Sequence, residues 1–256
     1  MSDLPFCLDR DLVIRARRTT VFRFFTESTL FARWWGAGST IEARVGGGVR
    51  IVYPNGQIAS GQVLAIEPET SILFSYGYEY EGATIAPGGS RVRIALEEHP
   101  DGTLLRLRHE VHDAEVRDDH VAGWRFHLAL FANVAAAVEH EKVEGVADDW
   151  FEAWNTVEGA ARLKLLARCT TGEVAFRDAW SCGRGRDELD RHIAQAQMHM
   201  TGISIRRDGA VRQCQGTALL PWAMTGPDGT PRAQGVNVVQ LAPDGRIRDS
   251  VGFAGR

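Results

Sequence analysis

The feature that most restricts the fold of this chain is the segment "RDDHVAGWRFHLALFANVAAAVEHEKV" (residues 117 to 143). Its apolar residues Val121, Trp124, Leu128, Phe131, Ala135 and Val138 are spaced 3-4-3-4-3, which puts them in one stripe along a helix. A long helix with a single apolar stripe needs one apolar surface to cover it. The preceding residues supply that surface. "TIEARV", "VRIVY", "QVLAIE", "SILFSYGYEY", "RVRIALEE" and "TLLRLRHEVH" read as strands. Most are separated by turn residues: Gly46-Gly47-Gly48, Pro54-Asn55-Gly56, Pro87-Gly88-Gly89 and Asp101-Gly102. Ahead of them, "TTVFRFFTESTLFARWW" carries Val21, Phe22, Phe25, Leu30, Phe31 and Trp34, which suits one or two helices packed on the sheet. The expected architecture is a mostly antiparallel sheet curled round one long helix.

After the charge-rich "EHEKVEG" (139 to 145), read as the helix end and a short linker, the order of elements changes. "ADDWFEAW", "EGAARLKLLARC" and "RDELDRHIAQAQMHM" read as helices, with a strand "EVAFRDAW" between the second and third. Strands punctuated by Asp208-Gly209, Asp228-Gly229 and Asp244-Gly245 follow. The fold class is therefore α+β in two domains, 1–143 and 144–256, the second an α+β cone. No internal repeat is visible.

Several function classes are disfavoured. The net charge of −4 comes with no basic run, so nucleic acid is not an expected partner. The amino terminus "MSDLPFCLDRDL" is acidic and broken by proline, unlike a signal peptide. The longest apolar run, "LALFANVAAAV" (128 to 138), is too short for a membrane span. Cys7, Cys169, Cys182 and Cys214 form no CxxC pair, which fits free thiols in a cytoplasmic setting. "HEVH" (109 to 112) lacks metalloprotease spacing, and His192 and His199 are seven residues apart with no Cys/His cluster, so no metal is expected. "RVGGGVRI" opens no helix and "GRGRDEL" lacks a phosphate-loop ending, so no cofactor is expected either.

The pieces "TESTLFARWWG", "RVGGGVRI", "GQVLAIEPETSILFSY" and Gly123-Trp124 carry a resemblance. With them, residues 9 to 141 resemble the bacterial relatives of the Hsp90 ATPase activator, within the START-like "helix-grip" superfamily. In the second half the matching pieces are "WFEAWN", "FRDAW", "RDELDRHI", "DGTPRAQGVNVVQLAPDGRI" and "VGF". Residues 146 to 256 resemble the SnoaL-like branch of the NTF2-like superfamily, which includes ketosteroid isomerase and polyketide cyclases. The resemblance implies two folds that each hold a curved sheet against helices around an apolar pocket. It also implies pairing of two copies through strands after residue 203, and raises a Hsp90-type chaperone as a partner.

The candidate site residues follow from alternation. Leu105, Leu107, His109 and Val111 share a strand face that looks toward the helix bearing Trp124. His109 is then either a core histidine satisfied by a backbone carbonyl or a ligand contact. Ile72, Phe74, Tyr76, Tyr78 and Tyr80 alternate onto one face, giving an apolar wall with hydroxyls. Trp34 reads as core; Trp35 either covers the strand beginning at Thr40 or forms part of a ligand wall. In the second half Val174, Phe176, Asp178 and Trp180 share a face. A carboxylate in such an apolar row is either a candidate general base or a structural acceptor at a strand bend. The resemblance to ketosteroid isomerase gives Asp178 the role of proton-transferring base and sets Trp150 and Asn237 where that enzyme has its oxyanion donors. The expected function is binding of a small apolar or aromatic molecule. The alternatives are isomerase- or cyclase-like chemistry at Asp178, or a chaperone-interacting adaptor.

Overall fold

The computed structural model of the protein describes residues 4–255. They form two compact units that part between Val138 and Glu139. The first begins with β1 (Phe6–Ile14), α1 (Arg18–Arg23) and α2 (Ser28–Trp35). Strands β2 (Thr40–Ile41), β3 (Gly48–Val52), β4 (Ile58–Glu67), β5 (Ser71–Tyr76), β6 (Ser90–His99) and β7 (Gly102–Val111) follow, and α3 (Ala114–Glu139) closes it. The strands make one antiparallel sheet in the order β1-β7-β6-β5-β4-β3-β2.

Register explains the inner face. Val92, Ile94 and Leu96 lie opposite His109, Leu107 and Leu105, and all six are buried. Helix α3 covers this face with Trp124, Leu128, Phe131, Ala132 and Ala135. Val121 departs from the expected stripe and is 36% exposed. The helix starts earlier than its apolar spacing suggested, because the Asp113 carboxylate accepts the Glu115 backbone N–H at 2.7 Å and caps it. By length and composition α3 is the one described helix long and apolar enough to cross a membrane, but its buried stripe is part of this core.

The adjacent tryptophans both belong to that core, 1% and 2% exposed, with ring centroids 4.1 Å apart. The turn of the helix sends them to different neighbours. Both touch Phe31, but Trp34 meets Phe25 and Phe131, whereas Trp35 meets Tyr53, Trp124 and His127. Gly36 then stops the helix at φ 149°, where a Cβ would fall 2.2 Å from the Val52 carbonyl oxygen. Only glycine fits that approach.

The second unit contains α4 (Val143–Asn155), α5 (Gly159–Cys169), β8 (Thr170–Arg177), β9 (Cys182–Arg184) and α6 (Arg186–His199). Strands β10 (Ser204–Arg207), β11 (Arg212–Cys214), β12 (Thr217–Thr225), β13 (Pro231–Leu241) and β14 (Ile247–Ala254) complete it. Its sheet runs β10-β12-β13-β14-β8-β9, with β11 on β12 and β14 parallel to β8. The helices rest on the sheet through Trp150, Phe151, Leu166, Leu189 and Ile193 against Val174, Leu220 and Val239. Arg162, almost fully buried, joins α5 to α6. Its Nε donates to Asp190 at 2.6 Å, and its Nη1 donates to the carbonyls of Thr156 and Val157. The fold is thus α+β throughout, a sheet gripping one long helix followed by a cone of three helices and a curved sheet.

Three local expectations differ from the structure. "TIEARV" is a strand only at Thr40–Ile41, since the run from Glu42 turns back through Gly46 and Gly47. The linker shrinks to residues 140–142, because α4 begins at Val143. Strand β8 ends at Arg177, before Asp178 and Trp180.

Candidate functional site

In the first unit the expected wall residues Trp35, Phe74, Tyr76, His109 and Trp124 are buried, and Tyr78 is half-buried. Their polar atoms are largely used on one another. Trp124 Nε1–H donates to His109 Nδ1 at 3.0 Å, so the neutral ring carries its proton on Nε2, which donates to Ser90 Oγ at 2.9 Å. Ser90 Oγ–H in turn donates to the Tyr76 carbonyl at 2.9 Å. His109 is therefore satisfied by side chains and not by the backbone carbonyl considered above. Burial first, and then the neighbouring His120, push its pKa down to about 3. Tyr53 and Tyr76 share a 2.6 Å bond between hydroxyls, and burial raises both phenols above their ordinary range. The Tyr78 hydroxyl lies 3.3 Å from His120 Nε2. His120 donates through Nδ1 to the Val116 carbonyl, so Nε2 accepts from the tyrosine. Tyr80, beyond the end of β5, is exposed.

The second unit holds a cavity of about 590 Å³. Helix α6 presents His192, Gln195, Ala196 and His199 to it, an i, i+3, i+4, i+7 set on one helical face. Apolar walls come from Trp154, Met200, Ile205, Trp222 and Met224. Asp178, Trp180, Ala233, Asn237, Gly252 and Ala254 also line it. Among the described residues no lysine or arginine lines the cavity.

Asp178 sits where β8 turns into β9. Its Oδ1 accepts three hydrogen bonds, from the backbone N–H of Trp180 and of Ser181, each at 2.8 Å, and from Ser181 Oγ at 3.0 Å. Ser181 Oγ also lies 3.2 Å from His192 Nε2. The directions follow by elimination. An ionised carboxylate only accepts, so the single hydroxyl proton of Ser181 goes to Asp178, and the oxygen of Ser181 then accepts from His192 Nε2–H. His192 Nδ1 and Asp178 Oδ2 are left with no protein partner among the described residues. The His192 ring stacks on Phe176 at 5.5 Å and meets Trp154 edge-on at 5.7 Å.

Of the sequence-derived candidates, Asp178, Asn237 and Trp180 come together around this cavity. Trp180 reaches it from the turn and not from a strand face, and is 80% exposed. Phe176 is buried beneath the His192 ring. Trp150 does not line the cavity; it is 2% exposed, packed in the core of α4, and its Nε1 has no hydrogen-bond partner. The candidates Trp35, Phe74, Tyr76, Tyr78, His109 and Trp124 belong to the other unit. Sequence reasoning missed Ser181, Gly252 and the role of His192. The signal for His192 was present in the one-face spacing of His192, Gln195 and His199. No group of side chains suited to a metal ion occurs among the described residues.

Residues 15–136, just under half of the chain, match the family of Activator of Hsp90 ATPase homolog 1-like proteins. The first unit resembles that family. An AHSA1-like protein from Rhizobium etli is 28% identical, covering 51% of this chain and 81% of its own length, with a TM-score of 0.42. A SnoaL-like family protein from Agrobacterium tumefaciens strain C58, provisionally named an isomerase, is 24% identical over 46% of this chain and 99% of its own, with a TM-score of 0.43. CalU16 from Micromonospora echinospora is 26% identical over 49% and 74%, with a TM-score of 0.39. No curated protein matches the chain. Beside the activator-like unit, the second unit has the element order that its SnoaL-like resemblance implies, three helices and a strand meander.

Proposed function

We propose that this chain binds a small apolar or aromatic molecule in the cavity of its second unit. The observation that carries the reading is the cavity itself. Its volume of about 590 Å³ is that of a ligand site, and its walls are mostly apolar with a few convergent polar groups. The test is a thermal-shift and native mass-spectrometry screen of the full chain against steroids, lipids and aromatic polyketides. A stabilising ligand whose affinity falls when Trp222 is replaced by alanine supports the reading. A screen in which nothing binds overturns it.

A second reading is supported by the presence of Asp178 and Asn237 in one cavity. Asp178 would then take a proton from carbon next to a carbonyl, with the Asn237 amide as donor to the developing oxyanion. Trp150 has no part in it. Asp178→Asn keeps an acceptor for the turn while removing the base, so turnover of a found substrate should vanish with the fold intact. An unchanged rate would sink the idea.

The activator-like unit raises a Hsp90-type chaperone as a partner, on the family description alone. Titration with a bacterial Hsp90, read by its ATPase rate, decides it. Pairing of two copies is supported by the sheet face opposite the cavity. There Pro221, Val236 and Phe253 stand in register beside Leu219, Val238 and Val251. Sedimentation velocity that finds only monomer at micromolar concentration removes the pairing. A cytoplasmic location fits the four free cysteines; fractionation of cells that express the chain checks it.

A further inference from the structure

Strand register brings three residues side by side on one wall of the cavity. Asn237 of β13 lies opposite Gly252 of β14. Strand β14 runs parallel to β8 with Val251 beside Arg177, so Gly252 comes beside Asp178, one residue further along both chains. Adjacent strands are only ~4.8 Å apart, and registered residues project to the same side. A Cβ added at Gly252 would lie 3.2 Å from Asn237 Oδ1 and 3.2 Å from Asp178 Cβ. The absent side chain therefore leaves one point on which an amide and a carboxyl-bearing side chain converge. The backbone does not demand glycine here, because Gly252 is not among the residues with positive φ. At those distances a Cβ would press on both side chains, so the glycine keeps this point of the wall open.

Asn237 supplies the second observation. It is only 9% exposed, lines the cavity, and makes no side-chain hydrogen bond to the protein among the described residues. A buried amide without partners is unfavourable unless the cavity's contents satisfy it.

We propose that the space over Gly252 holds the polar end of the ligand, a neutral hydroxyl or enol, and that Gly252 sets how far the attached rings can enter. This rests on the cavity being a ligand site. The hydroxyl donates its one proton to Asn237 Oδ1, the amide atom that borders this space beside Asp178. A carboxylate ligand is refused at this point: it would face Asp178 and Asn237 Oδ1, and among the described residues no lysine or arginine lines the cavity to offset the repulsion. Phenols and enols are admitted; fatty and aromatic acids are not.

Fluorescence titration of the full chain with 2-naphthol and with 2-naphthoate tests this. The expected result is at least about tenfold tighter binding of 2-naphthol. Gly252→Ala should weaken 2-naphthol about tenfold, while naphthalene, which has no hydroxyl to seat there, is nearly unchanged. Should that variant misfold, Asn237→Leu keeps a similar volume and removes no protein hydrogen bond. It should erase the preference for 2-naphthol over naphthalene. Equal binding of 2-naphthol and 2-naphthoate, or full affinity in Gly252→Ala or Asn237→Leu, overturns the subsite and leaves the cavity reading standing. If none of these compounds binds the unaltered chain, the subsite and the cavity reading fall together.

Discussion

His109 in the first unit and His192 in the second sit in similar company and are used differently. Each has a serine hydroxyl on Nε2 and aromatic rings around it. His109 also takes an indole N–H on Nδ1, so both its nitrogens are bonded inside the core. His192 keeps Nδ1 free, beside a cavity that Asp178 and Asn237 also line. The first arrangement turns polar groups into packing material. The second leaves them available to a ligand. A histidine in an apolar row is thus not a site until both its nitrogens have been accounted for.

The largest effect expected from this contrast is on Trp34, which is almost fully enclosed by Phe25, Phe31, Trp35 and Phe131. Trp34→Ala should destabilise the first unit by about 3–5 kcal/mol. Hydrogen exchange should show it as lost protection across β5 to β7, with β12 to β14 unchanged. Loss of less than about 1 kcal/mol would mean that this interior is loosely packed, and the contrast between the units would weaken.

Next in size is a pH effect. Folded His109 binds its proton only near pH 3, whereas an unfolded histidine titrates at about 6.5. The unfolded chain therefore takes up a proton that the folded one refuses. Stability is complete above about pH 6.5 and declines as the pH falls toward 3, by about 1.4 kcal/mol per unit from this group. Half-buried His127, also lowered by burial, adds in the same direction. Urea midpoints of the first unit should fall between pH 6.5 and 5, and the slope should flatten in His109→Gln. An unaltered slope in that variant would show that His109 is not held neutral.

The sheet and helices of both units were legible in the sequence because their inner rows repeat at strand or helix period. The row from Leu105 to Val111 and the stripe from Trp124 to Ala135 are buried as their spacing requires. Strand β1 was not legible. Asp9, Arg10 and Asp11 interrupt its alternation, and the two aspartates make sense only beside Arg106 and Arg108 of β7, nearly a hundred residues away. The candidate site was legible in part. Asp178 and Asn237 could be marked from alternation and resemblance, but Gly252 could not. What Gly252 does depends on lying between those two strands, and no local pattern records that. Ser181 was hidden for a similar reason, since its neighbours Asp178 and His192 meet only when the β8–β9 turn folds against α6.

The smallest effect on stability should come from Trp180, and it sharpens the comparison most directly because the residue type is the same as at position 34. Trp180 is 80% exposed on a turn, yet its ring borders the cavity. An exposed indole adds little to folding, so Trp180→Ala should shift stability by no more than about 0.5 kcal/mol. The turn itself survives the change, because Asp178 Oδ1 binds the backbone N–H at 180 and not the side chain. Affinity should respond instead. Loss of one aromatic face over a bound ring is worth about 1 kcal/mol, or roughly fivefold in the dissociation constant of 2-naphthol. If Trp180→Ala destabilises the fold as Trp34→Ala does, the ring is structural and the cavity loses its aromatic rim. If neither stability nor affinity moves, Trp180 lies outside the site, and ligand contact is confined to Trp154, Trp222 and the Asp178–Gly252–Asn237 wall.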